Sequence, residues 1–244
     1  MLHPVEGEIF YVDKPLTWTS FDVVKRVRGE LSHRTKIKKL KVGHAGTLDP
    51  LATGVLILCT GRATKRIEAL QSGVKEYIAT LRLGATTPSF DLEHEIDQTY
   101  PTEHITREDV ERALSSFVGE IMQVPPVFSA CKVEGKRAYD LARMGQKAEE
   151  VQLKAKPLRI DEIELLEADL GGEAPSITIR VVCSKGTYIR ALARDIGEAL
   201  NSGAHLTALR RTRVGEYGEK DCFTLESFEE WLAQQDVETE LPAS

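Results

Sequence analysis

No apolar run in the 244 residues approaches the ~20 that a membrane-crossing helix needs. The N-terminus, MLHPVEGEIF, lacks the basic and apolar regions of a secretory signal. The four cysteines (Cys59, Cys131, Cys183, Cys222) are far apart and form no CxxC pair. That argues against a zinc site or a disulfide framework and for reduced thiols in the cytoplasm. No second His or Cys stands at ligand spacing from His44, so a bound metal is not expected. Repeats and low-complexity segments are also missing. What remains is an ordinary globular chain, 41% hydrophobic, with room for one large core or two small ones.

The net charge of −6 argues, as an average, against a polyanionic partner. Its distribution argues otherwise. Residues 25–41 hold eight Lys/Arg and one Glu, and residues 180–213 hold seven and two acids. Acids concentrate in 91–111, eight against one Arg, and in 216–240, nine against one Lys. Most charge runs are only solvated faces, but a nucleic acid responds to the local field rather than to the mean.

The pattern along the chain predicts α+β with a mixed sheet. EIFYVDKP (8–15) reads as a strand, and Thr19 or Ser20 as the cap of a helix over FDVVKRVRGEL. Residues 33–41 read as a loop, 55–59 as a buried strand, 63–70 as a helix and 75–83 as a strand. A long acidic loop is expected over 84–105, followed by a helix capped by Thr106. Strands follow at 156–168, 176–183 and 204–214. Thr187 is expected to cap YIRALARDIGEALNSG, ending at Gly203, and Thr224 a last helix. The segment 123–150 differs in character, with two prolines, a hairpin turn at Glu134-Gly135 and a short helix near 138–144. It reads as an excursion from the main body.

The chemistry centres on Asp49, in KVGHAGTLDPLATGVLILCTGRATK. Asp before Pro is most often plain turn chemistry. Here Gly43, Gly46 and Gly54 permit tight turns and close approach of a ligand, and a carboxylate held there can serve as nucleophile or base. His44 is a general base, a ligand or a plain loop histidine. Lys65, beside Arg62 and Arg66, is either a solvated helix residue or a phosphate contact. Tyr77 and Tyr188 most often would simply pack, yet an enzyme that flips a base needs such a flat surface to receive it. In SKGTYIRALARDIG, the apolar Ile189, Leu192, Ala193 and Ile196 put Arg190 and Arg194 on the other face of a helix. The plain reading of Arg194 is a helix-surface pair with Glu198. Arg190 stands near the helix start, where the dipole disfavours a cation, so a carboxylate such as Asp49 is expected to compensate.

The stretch GHAGTLDPLATGVLILCTGRATK resembles the catalytic motif of the TruB family of tRNA pseudouridine synthases nearly residue for residue. The resemblance continues, in order, through DKPLTWTS, KEYIATLRLG, QVPPVFSACKVEGKRAYDLAR, CSKGTYIRALARDIG and AHLTALRRTRVGEY, covering about residues 8 to 217. It implies the pseudouridine synthase fold, a large mixed β-sheet flanked by helices, with 123–150 as an RNA-gripping insertion in a single catalytic domain. The implied reaction turns the T-loop uridine at position 55 of tRNA into pseudouridine. The base is flipped out, the N1 glycosidic bond is cleaved with help from Asp49, and the uracil rotates and reattaches through C5. By motif position, Arg190 pairs with Asp49 and Tyr77 stacks on the base. His44 helps extrude the uridine, Tyr188 and Leu209 line the base pocket, and Lys65 lies close by. The resemblance implies no cofactor and no metal, a monomer, and the T-arm stem-loop of tRNA as partner. It departs at Thr17, where the family usually has Gly. The sequence ends in the acidic QQDVETELPAS, so the PUA-type domain that many relatives carry is not expected. From another class, an RNA-folding chaperone or binding module with secondary catalysis would also suit a basic α+β chain.

Overall fold

The computed structural model describes residues 1–128, 132–133, 136–137 and 153–237. In chain order the main elements are β1 (Ile9–Lys14), α1 (Ser20–Thr35), β2 (Val42–Ala45), β3 (Ala52–Thr60), α2 (Ile67–Gln71) and β4 (Lys75–Leu83). Then come α3 (Arg107–Ser116), β5 (Gly119–Gln123), β6 (Lys156–Asp169), β7 (Ser176–Cys183), α4 (Ile189–Ala199), β8 (Ala204–Val214) and α5 (Leu225–Ala233). The fold is α+β, with a large sheet flanked by helices. The backbone divides into two compact units, residues 1–76 with 210–244, and residues 77–209.

In the first unit β3 pairs antiparallel with β1, from Ile9 opposite Cys59 to Lys14 opposite Gly54. It also pairs with β2, which follows directly on the expected 33–41 loop, from Val42 opposite Thr60 to Ala45 opposite Ile57. Pairing extends the strand beyond the expected 55–59 at both ends. The run VLILC is apolar throughout because both faces are covered. Leu56 and Leu58 join Val23, Val27, Leu31, Phe10 and Phe228 in one core, while Val55, Ile57 and Cys59 pack with Ala45, Ala63 and Val214 in another. Both helices of the first core start on capping boxes, Thr19 with Asp22 and Thr224 with Ser227. Such caps contribute about 1 kcal/mol each. The expected helix over 63–70 begins instead as a 3₁₀ turn, Gly61–Arg66, before α2.

The turn between β1 and α1 contains Thr17 at φ 69, exposed and left-handed. The backbone therefore keeps the glycine-like conformation although this chain has Thr there. A β-branched residue is strained in that region, roughly 1–2 kcal/mol against glycine's own entropic cost of about 0.5–1 kcal/mol. Thr17→Gly is thus expected to raise stability by about 0.5–1 kcal/mol and the melting temperature by about 2–3 °C. A calorimetric scan showing no rise, or a fall, would mean that the Thr17 side chain makes a contact worth more than its strain.

In the second unit β6 pairs antiparallel with β5 and β7, with register shifts near Ile160 and Leu165. Along β4 buried and half-buried residues alternate strictly, and Tyr77, Ala79, Leu81 and Leu83 all point to the buried side. Thr106 caps α3 with a box to Asp109, as expected. Thr187 does not cap α4. Its hydroxyl donates to the Ser184 carbonyl at 2.9 Å, which closes the preceding turn, and Tyr188 takes the cap position without a side-chain bond. Nor does α4 end at Gly203. It stops at Ala199, and Asn201 takes the left-handed conformation. Gly203 serves packing instead, since a Cβ there would come within 2.5 Å of the Tyr100 ring. Strands Lys132–Val133 and Lys136–Arg137 pair antiparallel on either side of the expected Glu134-Gly135 turn. That turn and the expected helix over 138–144 lie outside the described residues.

Candidate active site

Asp49, His44 and Lys65 belong to the first unit; Tyr77, Tyr188, Arg190 and Leu209 belong to the second. Asp49 is half-buried in the turn joining β2 to β3, and its carbonyl accepts the Ala52 N–H at 3.0 Å. The Pro50 carbonyl accepts the Thr17 N–H at 2.8 Å and the Lys14 ammonium at 3.2 Å. Lys14 is wholly buried and also donates to Pro15 and Trp18 carbonyls at 2.9 and 2.5 Å. Burial brings its pKa down to about 8, and the nearby Asp49 carboxylate opposes that fall.

The glycines around Asp49 make room for the protein's own chain. A Cβ on Gly54 would lie 2.1 Å from the Arg211 carbonyl oxygen, and one on Gly43 would lie 2.9 Å from an Ile67 methyl. This corrects the expectation that these two admit a ligand. Gly46, at φ 91, does need glycine's freedom. Its carbonyl accepts from Arg211 Nη2 at 3.0 Å, while Arg211 Nε donates to the Val55 carbonyl at 2.8 Å. Arg211 is buried, and its charge reaches His44 on β2. Burial first, and Arg211 second, push the His44 pKa below its usual value, so the ring is neutral at pH 7. His44 Nδ1 is buried without a hydrogen-bond partner among the described residues. Lys65 stands exposed on the 3₁₀ turn.

Arg190 is only 4% exposed, so the helix face it shares with Arg194 is covered at this position. Its Nη1 donates to the Ser89 carbonyl at 3.2 Å, its Nη2 to the Phe128 carbonyl at 2.8 Å, and its Nε lies 3.9 Å from Asp91 Oδ2. Asp91, also buried, accepts the Ser89 hydroxyl at 2.5 Å and the Glu93 N–H at 3.0 Å. His94 Nδ1 lies 2.9 Å from the same hydroxyl. Within the expected 84–105 loop, therefore, a buried polar knot forms around Arg190, and Ala85–Thr86 pairs with Gln98–Thr99. Sequence reasoning missed Asp91. Its one signal is the Ser two residues ahead of it, a pattern that closes a local turn.

Tyr188 is half-buried, and Gln123 holds its backbone from both sides, accepting its N–H at 3.0 Å and donating to its carbonyl at 3.2 Å. Tyr77 is 7% exposed on β4, and Leu209 is half-buried on β8. Arg194 pairs with Asp195 at 2.8 Å rather than with Glu198, and it lies over the Phe90 ring.

The two basic blocks also fare differently. In the second, Arg180 pairs with Glu162, Arg194 with Asp195, Arg210 with Asp13, and Arg213 with Glu76, while Arg190 and Arg211 are buried. Only Lys185 of that block stands exposed without such a pair among the described contacts. In the first block Arg26 and Arg34 bond to the α5 region, but Lys36, Lys38, Lys39 and Lys41 are exposed. Charge excess by sequence count thus overstates the cations available to a polyanion. No cluster able to hold a metal occurs among the described residues, and no described helix is long and apolar enough to cross a membrane.

A family model described as "TruB family pseudouridylate synthase (N terminal domain)" matches residues 34–189. A second, "tRNA pseudouridylate synthase B C-terminal domain", matches residues 190–243. The tRNA pseudouridine synthase B of Phocaeicola vulgatus is 71% identical over 233 residues, 96% of each chain. That of Flavobacterium johnsoniae is 50% identical, over 93% of this chain and 97% of the other. Among solved structures, a chain of a Cbf5-Nop10-Gar1 complex superposes with a TM-score of 0.68 at 30% identity, over 94% of this chain and 55% of its own. One from the archaeal box H/ACA sRNP Nop10-Cbf5 complex gives 0.65 at 28%, with 94% and 55% covered. The chain spans about half the length of these two structural relatives.

Proposed function

The chain belongs to the TruB family of pseudouridylate synthases, enzymes that isomerise uridine to pseudouridine, and from that premise we propose that it acts on the T-loop uridine at position 55 of tRNA. The reaction is an isomerisation. The N1–C1′ bond breaks, the uracil turns, C5 bonds to C1′, and the proton lost from C5 is balanced by one gained at N1. No oxidant or reductant enters.

The observation that carries the reading is the state of the Asp49 turn. Its carboxylate is half-buried on a loop whose neighbouring peptides are tied down by hydrogen bonds, as a group placed for chemistry requires. Asp49 assists glycosidic cleavage, and Arg190 supplies the matching cation. The neutral His44 helps hold the loop open around the flipped nucleotide, Tyr188 and Leu209 line the base pocket, and Lys65 meets phosphate. The exposed Lys36, Lys38, Lys39 and Lys41 suit phosphate contacts along the T-arm. The enzyme works as a cytoplasmic monomer with 123–150 as an RNA-gripping insertion, without cofactor or metal. The test is to incubate the protein with an unmodified tRNA transcript and with the isolated T-arm hairpin, then map pseudouridine in both. Modification elsewhere, or none, removes this reading.

Tyr77 is proposed to stack on the extruded base. Stacking is worth ~1–3 kcal/mol per base, about 5- to 150-fold. Tyr77→Ala is expected to lose activity by that factor, and Tyr77→Phe to stay within about threefold of wild type, since Phe keeps the ring. Single-turnover rates for both variants check this. A Phe variant as slow as the Ala variant would show instead that the hydroxyl takes part in the chemistry.

A further inference from the structure

We propose that Ser20 is a positioning residue for Asp49, holding the peptide immediately before it; the proposal rests on Asp49 being the reacting carboxylate. Ser20 is 3% exposed and opens α1. Its hydroxyl is not needed by the helix, because Thr19 takes the cap and closes the box with Asp22. It crosses to the loop instead. Ser20 Oγ accepts the Leu48 N–H at 2.9 Å and donates to the Leu48 carbonyl at 3.1 Å. A hydroxyl can serve both sides of one residue because it is donor and acceptor at once.

Leu48 itself is anchored by burial. On the far side of Asp49, the Pro50 carbonyl is held by Thr17 N–H and by Lys14 Nζ. Both residues flanking Asp49 are therefore fixed by the segment 14–20, and the Leu48 half depends on one hydroxyl. The Leu48 N–H has no other partner among the described bonds, and a buried donor left unpaired costs about 1–3 kcal/mol. Without Ser20 the loop gains freedom to reseat that peptide. An error of about 1 Å at a reacting group can cost 10²-fold in rate.

The experiment uses the whole chain with Ser20→Ala and Ser20→Thr. For Ser20→Ala, the single-turnover rate on a T-loop tRNA transcript at saturating enzyme should fall tenfold or more. The dissociation constant for that RNA should stay within twofold. Hydrogen exchange at the Leu48 amide, measured well below the melting temperature, should quicken at least tenfold. Ser20→Thr, which keeps the hydroxyl, should recover most of the rate and the protection. A folded Ser20→Ala enzyme with the wild-type rate overturns the positioning role, even if Leu48 exchanges faster. Unchanged protection at Leu48 overturns it as well. If Ser20→Ala fails to fold, Ser20→Cys, close in volume but a weaker bonding partner, is read by the same criteria. Should the wild-type protein form no pseudouridine at this position, the functional reading fails, while the exchange measurement still shows whether Ser20 holds the loop.

Discussion

Asp49→Asn is expected to lower the single-turnover rate of pseudouridine formation by at least about 10³-fold, while RNA affinity changes by less than about threefold. Asn matches Asp in size and keeps an oxygen able to accept hydrogen bonds, so the turn between β2 and β3 should survive. The turn is held through its own main-chain atoms: the Asp49 carbonyl by the Ala52 N–H, the Pro50 carbonyl by the Thr17 N–H and the Lys14 ammonium, and the Leu48 N–H and carbonyl by the Ser20 hydroxyl. These bonds are made through main-chain atoms, which Asn retains. What Asn lacks is charge, and with it the ability to act as nucleophile or to take a proton. Removing the charge also takes from the buried Lys14 ammonium the most influential of the carboxylates that favour its charged form, leaving Asp13 and Asp22. A slight loss of stability is therefore expected alongside the loss of chemistry. The measurement is pseudouridine formed at saturating enzyme, beside a binding titration with the same transcript. Substantial residual turnover would take Asp49 out of the mechanism. A tRNA that refolds equally well with the wild type and the Asn variant would assign the folding activity to binding alone.

The second large effect is at Arg190. Arg190→Lys should lower the rate about 10²-fold or more, with a smaller change in RNA affinity. The guanidinium donates to the Ser89 and Phe128 carbonyls and lies at ion-pair distance from the Asp91 carboxylate. These lie in different directions around one planar group. A lysine ammonium is a point charge on a flexible stem and cannot span them. At a buried site the difference matters more, since a donor or acceptor left unpaired there cannot turn to water. The substitution keeps the positive charge, so it separates geometry from electrostatics. Near-normal rates would show that charge alone suffices and that the planar fork positions nothing. A melting temperature lowered without any loss of rate at 25 °C would assign Arg190 to stability only.

Some of this was legible in the residues alone. The three capping boxes are local, with partners three positions apart, so Thr19, Thr106 and Thr224 mark helix starts without knowledge of the fold. The apolar run after Asp49 reads as a doubly covered strand for an equally local reason. The order of the motifs identified the family. By contrast, Arg190 meets Ser89 across 101 positions and Ser20 meets Leu48 across 28. Periodicity placed Arg190 on a polar helix face because it sees only neighbours on the same helix. It cannot see Asp91 arriving from an acidic stretch that reads as loop. Charge counting failed in the second basic block for the same reason: a cation paired inside the fold and one facing solvent contribute identically to a sum.

Motif order and interactions within a few residues thus set the family, most element types, the caps at Thr19, Thr106 and Thr224, and Asp49 as the candidate carboxylate. Packing between distant segments set the rest: Arg190 is buried against Asp91, Gly54 clears the Arg211 backbone rather than a ligand, and the Ser20 hydroxyl holds the Leu48 peptide. Those outcomes depend on which distant polar groups burial brings within hydrogen-bond distance. That distance is set by how strands pair and helices pack, not by the residues' own preferences.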